Sequence, residues 1–239
     1  MAPKPTPHPQ DWTPEGVGLA RDQYAAALRY LFDRPVPGPQ GNEWYWDDDP
    51  PGFTASPLEW TRIQTVLFAN SGADLDPFSD EQVGMGLNYL LSNAISDVPF
   101  AAIDASVPLA EAMRMMQAMP ILWRDCFGRR LAHLQTPIGS EAGRLAYVCY
   151  MWFDVWPTFT NVREVPCWRD ALWQVLCDML QVPCREVQVA ALHGIGHEGR
   201  SLRPQGQINA LIGRFLRSGN PHDVELRQYA EAARRGDVQ

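Results

Sequence analysis

Two histidines, His193 and His197, are four residues apart, and Glu198 follows the second one directly. In a helix this spacing puts both imidazoles on one face, which is how a helix presents two nitrogen ligands to a metal ion. The zinc-protease pattern needs a glutamate after the first histidine to act as general base, and this chain has Gly194 there. The pair therefore predicts at most a metal site, without the protease chemistry.

A structural interpretation of the same pair also stays open. Both imidazoles would lie near the end of a helix, where they suit the helix dipole, and Gly196 or Gly199 would end that helix. A third metal ligand, such as His222 or Asp223, can only be guessed from the sequence. A metal-dependent helical enzyme using His193 and His197 is accordingly the alternative function.

A second candidate site is the acidic aromatic loop, residues 38–54. It combines carboxylates with tryptophan and tyrosine, so it could pair with and stack on an arginine-rich partner. Binding of a divalent cation is disfavoured, because consecutive aspartates rarely converge on one ion. Equally, Trp44 and Trp46 could simply fix the loop to the helical core. The predicted partner-binding residues are Glu43, Trp44, Tyr45, Trp46, Asp47, Asp48 and Asp49.

Other apparent motifs lack a residue or a structural context that their function requires. Residues 194–199 match the glycine pattern GxGxxG, but an amphipathic helix precedes them where a dinucleotide site needs a strand. Residues 139–143 resemble a nucleophile elbow but carry Glu141 where the serine must be. The five cysteines form no CxxC pair and are typical of reduced core residues. The sequence predicts no cofactor.

The acidic charge is concentrated in one segment. Residues 41–82 contain nine acids against Arg62 alone, which accounts for the whole net charge of −8. Without a basic excess elsewhere, nucleic acid and anionic membranes are disfavoured partners. The N-terminus lacks the apolar core of a signal peptide, and the longest apolar run, 145–153, is too short to span a bilayer. We therefore expect a cytoplasmic protein.

The elements that position these residues are helices. Ser56 and Ser79 each begin a capping box, and Pro166 suits the first position of a helix. No segment alternates β-branched and polar residues as a strand does, so the fold class is all-α, an irregular antiparallel helical array of about ten helices. Further predicted boundaries are caps at Ser106 and Asn220-Pro221, a break at Pro120, and a helix start at Ser140.

The helix predicted from Arg185 to Gly196 carries a stripe of small residues, Ala190, Ala191 and Gly194, followed by Ile195. This segment resembles the second helix of a HEAT repeat, and the likeness extends over the chain from Val165 onward. The resemblance implies a HEAT-like C-terminal part in which small residues let neighbouring helices approach closely.

These observations predict three parts: a disordered proline-rich arm (1–12), an N-terminal helical part (13–160), and HEAT-like helices (161–239) that share its core. They favour a protein-binding module over an enzyme, since no catalytic constellation is present. The partner would be another protein, basic in character. In concrete terms, we expect an immunity or inhibitor protein that covers the basic site of a toxin.

Overall fold

The computed structural model describes residues 12–38, 41–140, 142–158, 165–218 and 222–238. No strand occurs among these residues, which confirms the all-α prediction. Nine of their helices have 12 residues or more: α1 Arg21–Phe32, α2 Pro57–Asp74, α3 Asp80–Leu91, α4 Leu109–Leu122, α5 Arg144–Val155, α6 Pro166–Met179, α7 Arg185–Leu202, α8 Gln205–Ser218 and α9 Val224–Arg235.

The predicted capping boxes are confirmed at the starts of α2 and α3. The Ser56 hydroxyl accepts a hydrogen bond from the Glu59 backbone N–H, and the Glu59 carboxylate accepts one from the Ser56 N–H. Ser79 and Gln82 do the same for α3. Both serines satisfy donors that the first turn of a helix leaves open, so these boundaries could be predicted locally.

Three predicted boundaries are wrong. The Ser106 hydroxyl donates to Asp104 at 2.6 Å, so it does not cap α4. Helix α5 starts at Arg144 instead of Ser140, because Gly143 has a φ of 90° that a helix cannot contain. Pro120 lies inside α4, which continues through a π-helical turn, Trp123–Phe127. The proline costs one backbone hydrogen bond, but its φ is compatible with a helix, and the nearby side chains of Met119, Leu122 and Trp123 are fully buried.

Two predicted features, the proline-rich arm and the cap at Asn220-Pro221, lie partly or wholly outside the described residues. Residues 1–11 of the proline-rich arm lie outside them, whereas Trp12 is buried and its carbonyl accepts a hydrogen bond from Asn70. The predicted cap at Asn220-Pro221 includes undescribed residues, and Asp223 caps α9 through the Leu226 N–H. One hydrophobic core runs from Trp12 to Val238, across both predicted parts.

Helix α7 packs against α5, α6, α8 and α9. Ala190 and Ala191 are fully buried, and a Cβ added to Gly194 would lie 2.8 Å from the Phe153 ring of α5. The glycine therefore permits the short distance between α5 and α7, as the small-residue stripe predicted. The helix continues past Gly196 and Gly199 to Leu202, so the prediction that a glycine ends it there is wrong.

We expect Gly194→Ala to lower the free energy of unfolding by about 1–3 kcal/mol, because the Phe153 ring would have to move within a packed core. Gly206→Ala is the matched control, since a Cβ at that position in α8 meets nothing within 4 Å. The control should be neutral or stabilise by up to about 1 kcal/mol. Urea denaturation followed by circular dichroism measures both values, and equal effects of the two substitutions would contradict the close contact.

Candidate functional site

Helix α5 is apolar, and its only carboxylate, Asp154, lies in its last turn. A negative charge near a helix C-terminus is unfavourable in the helix dipole, so the position needs a compensating partner. The partners come from α7, where His193 and His197 face this end of α5. The Asp154 side chain is 26% exposed, and it lies between the protein interior and solvent.

His193 is buried, and both of its ring nitrogens have partners. Its Nε2 lies 2.8 Å from Asp154 Oδ2, and its Nδ1 lies 2.6 Å from the hydroxyl of Tyr229 on α9. The Tyr229 hydroxyl is in turn 3.3 Å from that of Tyr150, whose ring packs on the imidazole at a centroid distance of 4.4 Å. Three helices thus meet at one imidazole.

His197 completes the group one turn further along α7. Its Nε2 lies 3.8 Å from Asp154 Oδ1, and its side chain is 42% exposed. One potential ligand atom from each of Asp154, His193 and His197 lies within 4.8 Å of the other two. We call these residues the three-ligand cluster. Neither of the guessed third ligands, His222 and Asp223, belongs to this group, and Asp223 pairs with Arg185 at 2.9 Å.

The electrostatics of the cluster favour an ionised carboxylate beside a neutral phenol. Partial burial raises the pKa of Asp154, but the hydrogen bond with His193 and the nearby imidazoles outweigh it, so the pKa is lowered overall. Burial raises the pKa of Tyr229, with further contributions from Tyr150 and from the Asp154 charge. The Tyr229 hydroxyl consequently keeps its proton at neutral pH.

Sequence reasoning paired the histidines correctly and missed Asp154 and Tyr229. The available signal for Asp154 was its place as the one acid of α5, immediately after the apolar run 145–153. Tyr229 gave no such signal, since a tyrosine on an amphipathic helix is also typical of ordinary core packing.

The acidic aromatic loop contributes only part of its residues to the surface. Trp44 and Tyr45 form a 3₁₀ turn with Trp46 and are buried, with relative exposures of 4% and 9%. Trp44 stacks on Tyr89 at 5.1 Å, and the Tyr45 hydroxyl accepts a hydrogen bond from Asn88. Direct contact of Trp44 or Tyr45 with a partner, as the sequence predicted, conflicts with this burial. Both side chains instead fix the loop to the core.

The other predicted partner-binding residues of the loop are one paired acid and a group of exposed side chains. Glu43 forms an ion pair with Arg144 of α5. Trp46 is 49% exposed, and the following three residues, Asp47–Asp49, are exposed as well. We call Trp46 and Asp47–Asp49 the acidic patch.

A groove of about 600 Å³ begins next to the loop. Arg144, the partner of Glu43, lies on its wall together with Glu81, Tyr147 and Glu186. Tyr147 is 54% exposed. Burial raises the pKa of Glu186, although Arg185 opposes the shift. Tyr150 lines the groove and also contacts His193, so the groove and the three-ligand cluster share one side chain.

Comparison of the chain with protein-family models, with curated proteins and with solved structures found no match. Among the described residues, no helix combines the length and apolar character that crossing a membrane requires. The structure shows an all-α fold with two candidate sites, the three-ligand cluster and the acidic patch.

We expect Tyr229→Phe to lower the free energy of unfolding by about 1–2 kcal/mol, because the buried Nδ1 of His193 would lose its hydrogen-bond partner. Tyr147→Phe removes a hydroxyl from an exposed tyrosine and should leave stability within about 0.5 kcal/mol of the wild type. Chemical denaturation of the three proteins provides the comparison. A Tyr229→Phe protein as stable as the wild type would mean that the hydroxyl does not support His193.

Proposed function

We propose that this chain is a cytoplasmic protein-binding module that recognises a basic protein partner through the acidic patch. In its concrete form, it is an immunity or inhibitor protein that covers the basic site of a toxin. The cytoplasmic assignment is supported by five cysteines without disulfides, three of which are buried. The proposed HEAT-like character of the C-terminal helices rests on the small-residue stripe of α7.

The observation that carries the proposal is the unneutralised charge of Asp47–Asp49. Three other acids of the same segment are compensated by arginines: Glu43 and Glu81 pair with Arg144, and Asp80 pairs with Arg130. Arg62, the single base of residues 41–82, pairs with Glu111 at 3.1 Å. Within the described part of the chain, Asp47–Asp49 form no ion pair. Three adjacent exposed carboxylates attract a cationic surface and accelerate its association.

The loop also presents this charge in a fixed position. Trp44 is packed between Tyr30 and Tyr89, and the Arg34 guanidinium lies 4.9 Å from its ring centroid. Because Trp44 and Tyr45 already anchor the loop, binding a partner would not have to order it. Less conformational entropy is then lost on association, and more of the interaction energy contributes to affinity.

The groove adds an aromatic surface beside the loop. Its wall carries two carboxylates, but Glu81 pairs with Arg144 and Glu186 pairs with Arg185. Tyr147, half exposed at the wall, provides an aromatic surface for an arginine or lysine side chain of the partner. A basic segment would therefore find complementary charge on the loop and an aromatic contact in the groove.

One observation favours the alternative function of a metal-dependent helical enzyme: Asp154 adds a carboxylate to His193 and His197. That function requires a bound metal, whereas the protein-binding function does not. Metal analysis of the purified protein therefore precedes any search for turnover.

The acidic patch is tested by a triple substitution, Asp47→Asn, Asp48→Asn and Asp49→Asn. The matched control, Asp22→Asn, Asp76→Asn and Asp237→Asn, changes the net charge equally. Asp22, Asp76 and Asp237 are exposed and lie outside residues 38–54, and of the three only Asp237 takes part in an ion pair among the described residues, with Arg235. Wild type, patch variant and control are used in parallel to capture partners from native lysate at rising salt concentration.

We expect a basic protein to be retained by the wild type and the control and lost by the patch variant. With the purified partner, the patch variant should associate about tenfold more slowly or worse, with a weaker dependence on salt. Equal association rates for all three proteins would show that the loop is not part of the interface. Retention that ignores salt concentration would contradict an electrostatic contact.

A further inference from the structure

We propose that Asp154, His193 and His197 bind one divalent transition-metal ion of the zinc class. This inference does not depend on the proposed protein-binding function. It is carried by the placement of two imidazole nitrogens and one carboxylate oxygen, from two helices, around a common point. Neutral imidazole and ionised carboxylate are ligands that Zn²⁺ takes in proteins.

The distances between the ligand atoms suit an ion with little movement. Zinc bonds of about 2.0–2.2 Å at tetrahedral angles place neighbouring ligand atoms roughly 3.3–3.6 Å apart. Here the Nε2 of His193 lies 2.8 Å from Oδ2 of Asp154, and the Nε2 of His197 lies 3.8 Å from Oδ1 of the same carboxylate. One ligand atom from each of the three residues lies within 4.8 Å of the other two. A small rotation of the exposed His197 and of Asp154 would open the first distance and shorten the second.

The surroundings of His193 provide a hydrogen-bond partner for the ring nitrogen that would not bind the metal. With Nε2 bound to the ion, the ring proton is on Nδ1 and points to the Tyr229 oxygen, 2.6 Å away. Tyr229 can then turn its own proton towards Tyr150, since either hydroxyl of that pair can be the donor. Such a partner fixes the orientation and tautomer of a ligating histidine.

The site is open on one side. His193 is buried, whereas the side chains of His197 and Asp154 are 42% and 26% exposed, which gives an ion access from solvent. Three protein ligands leave a tetrahedral position for water, the arrangement of catalytic zinc sites. The chemical class of ligand at that position is therefore water or a small oxygen donor.

The test uses full-length protein without a histidine tag, stripped of metal and kept reduced, titrated with zinc by calorimetry. We expect one equivalent to bind and to raise the thermal unfolding midpoint. Asp154→Asn retains an oxygen acceptor for His193 but is a poor ligand, and His197→Ala removes an exposed ligand with little packing. Each substitution should weaken zinc binding at least tenfold and reduce the shift in midpoint. His133→Ala, which removes another exposed histidine, is the control and should bind as the wild type does.

Cobalt provides a second readout. Its visible spectrum should report nitrogen and oxygen ligands without the thiolate charge-transfer band that cysteine ligands produce. Absence of stoichiometric zinc binding by the wild type would overturn the proposal. So would zinc binding that both variants retain, or a thiolate band, since either result would place the ion elsewhere.

The two proposals fail separately. The triple variant of the acidic patch should bind zinc as the wild type does, because Asp47–Asp49 are not part of the cluster. His197→Ala, in turn, should retain the basic partner. A fold too damaged to assess in Asp154→Asn leaves His197→Ala to decide, since the contact of His197 with Asp154 is 3.8 Å long and exposed.

Discussion

The packing of α7 against four neighbouring helices is the constraint on which most of the C-terminal structure depends. A helix so enclosed carries mainly small or apolar side chains towards its neighbours, as at Ala190, Ala191 and Gly194. His193, between Leu192 and Gly194, lies in the same buried environment. An imidazole without hydrogen bonds would be costly there, so each nitrogen requires a partner. Asp154 and Tyr229 meet that requirement, which makes the cluster a consequence of the packing as well as a candidate site.

Helix α5 connects this cluster to the acidic patch. Arg144, in its first turn, holds Glu43 of the loop, and Asp154, in its last turn, contacts both histidines. Ten residues of helix separate them, about 15 Å along the axis. The groove runs beside the same helix, with Tyr147 and Tyr150 on its wall. The cluster and Glu43 of the loop therefore contact opposite ends of one helix.

Whether a feature could be predicted from the sequence depends on how far apart in the chain its interacting residues lie. Capping boxes at Ser56 and Ser79 depend on residues three positions apart, and both were predicted correctly. Pro120 was misjudged, because burial of side chains from distant segments offsets its lost hydrogen bond. Asp154 could not be assigned to the histidines, since 39 residues separate it from His193 and only the fold brings them together.

The aromatic loop shows the same limit in another form. Tryptophan and tyrosine serve core packing and partner binding equally well, so composition alone could not separate Trp44 from Trp46. The structure separates them by exposure, 4% against 49%. The class of fold depends on patterns repeated along the whole chain, whereas the role of one aromatic side chain depends on a few contacts.

The burial of Trp44 and Tyr45 has a thermodynamic consequence for any complex formed at the loop. Their apolar surface has already left water when the chain folds, so docking would remove little more of it. The heat capacity change of binding scales with the apolar surface that becomes buried, and coupled folding of a segment makes it large. A partner that docks on this preformed loop would therefore bind with a small heat capacity change, and its binding enthalpy would vary little with temperature.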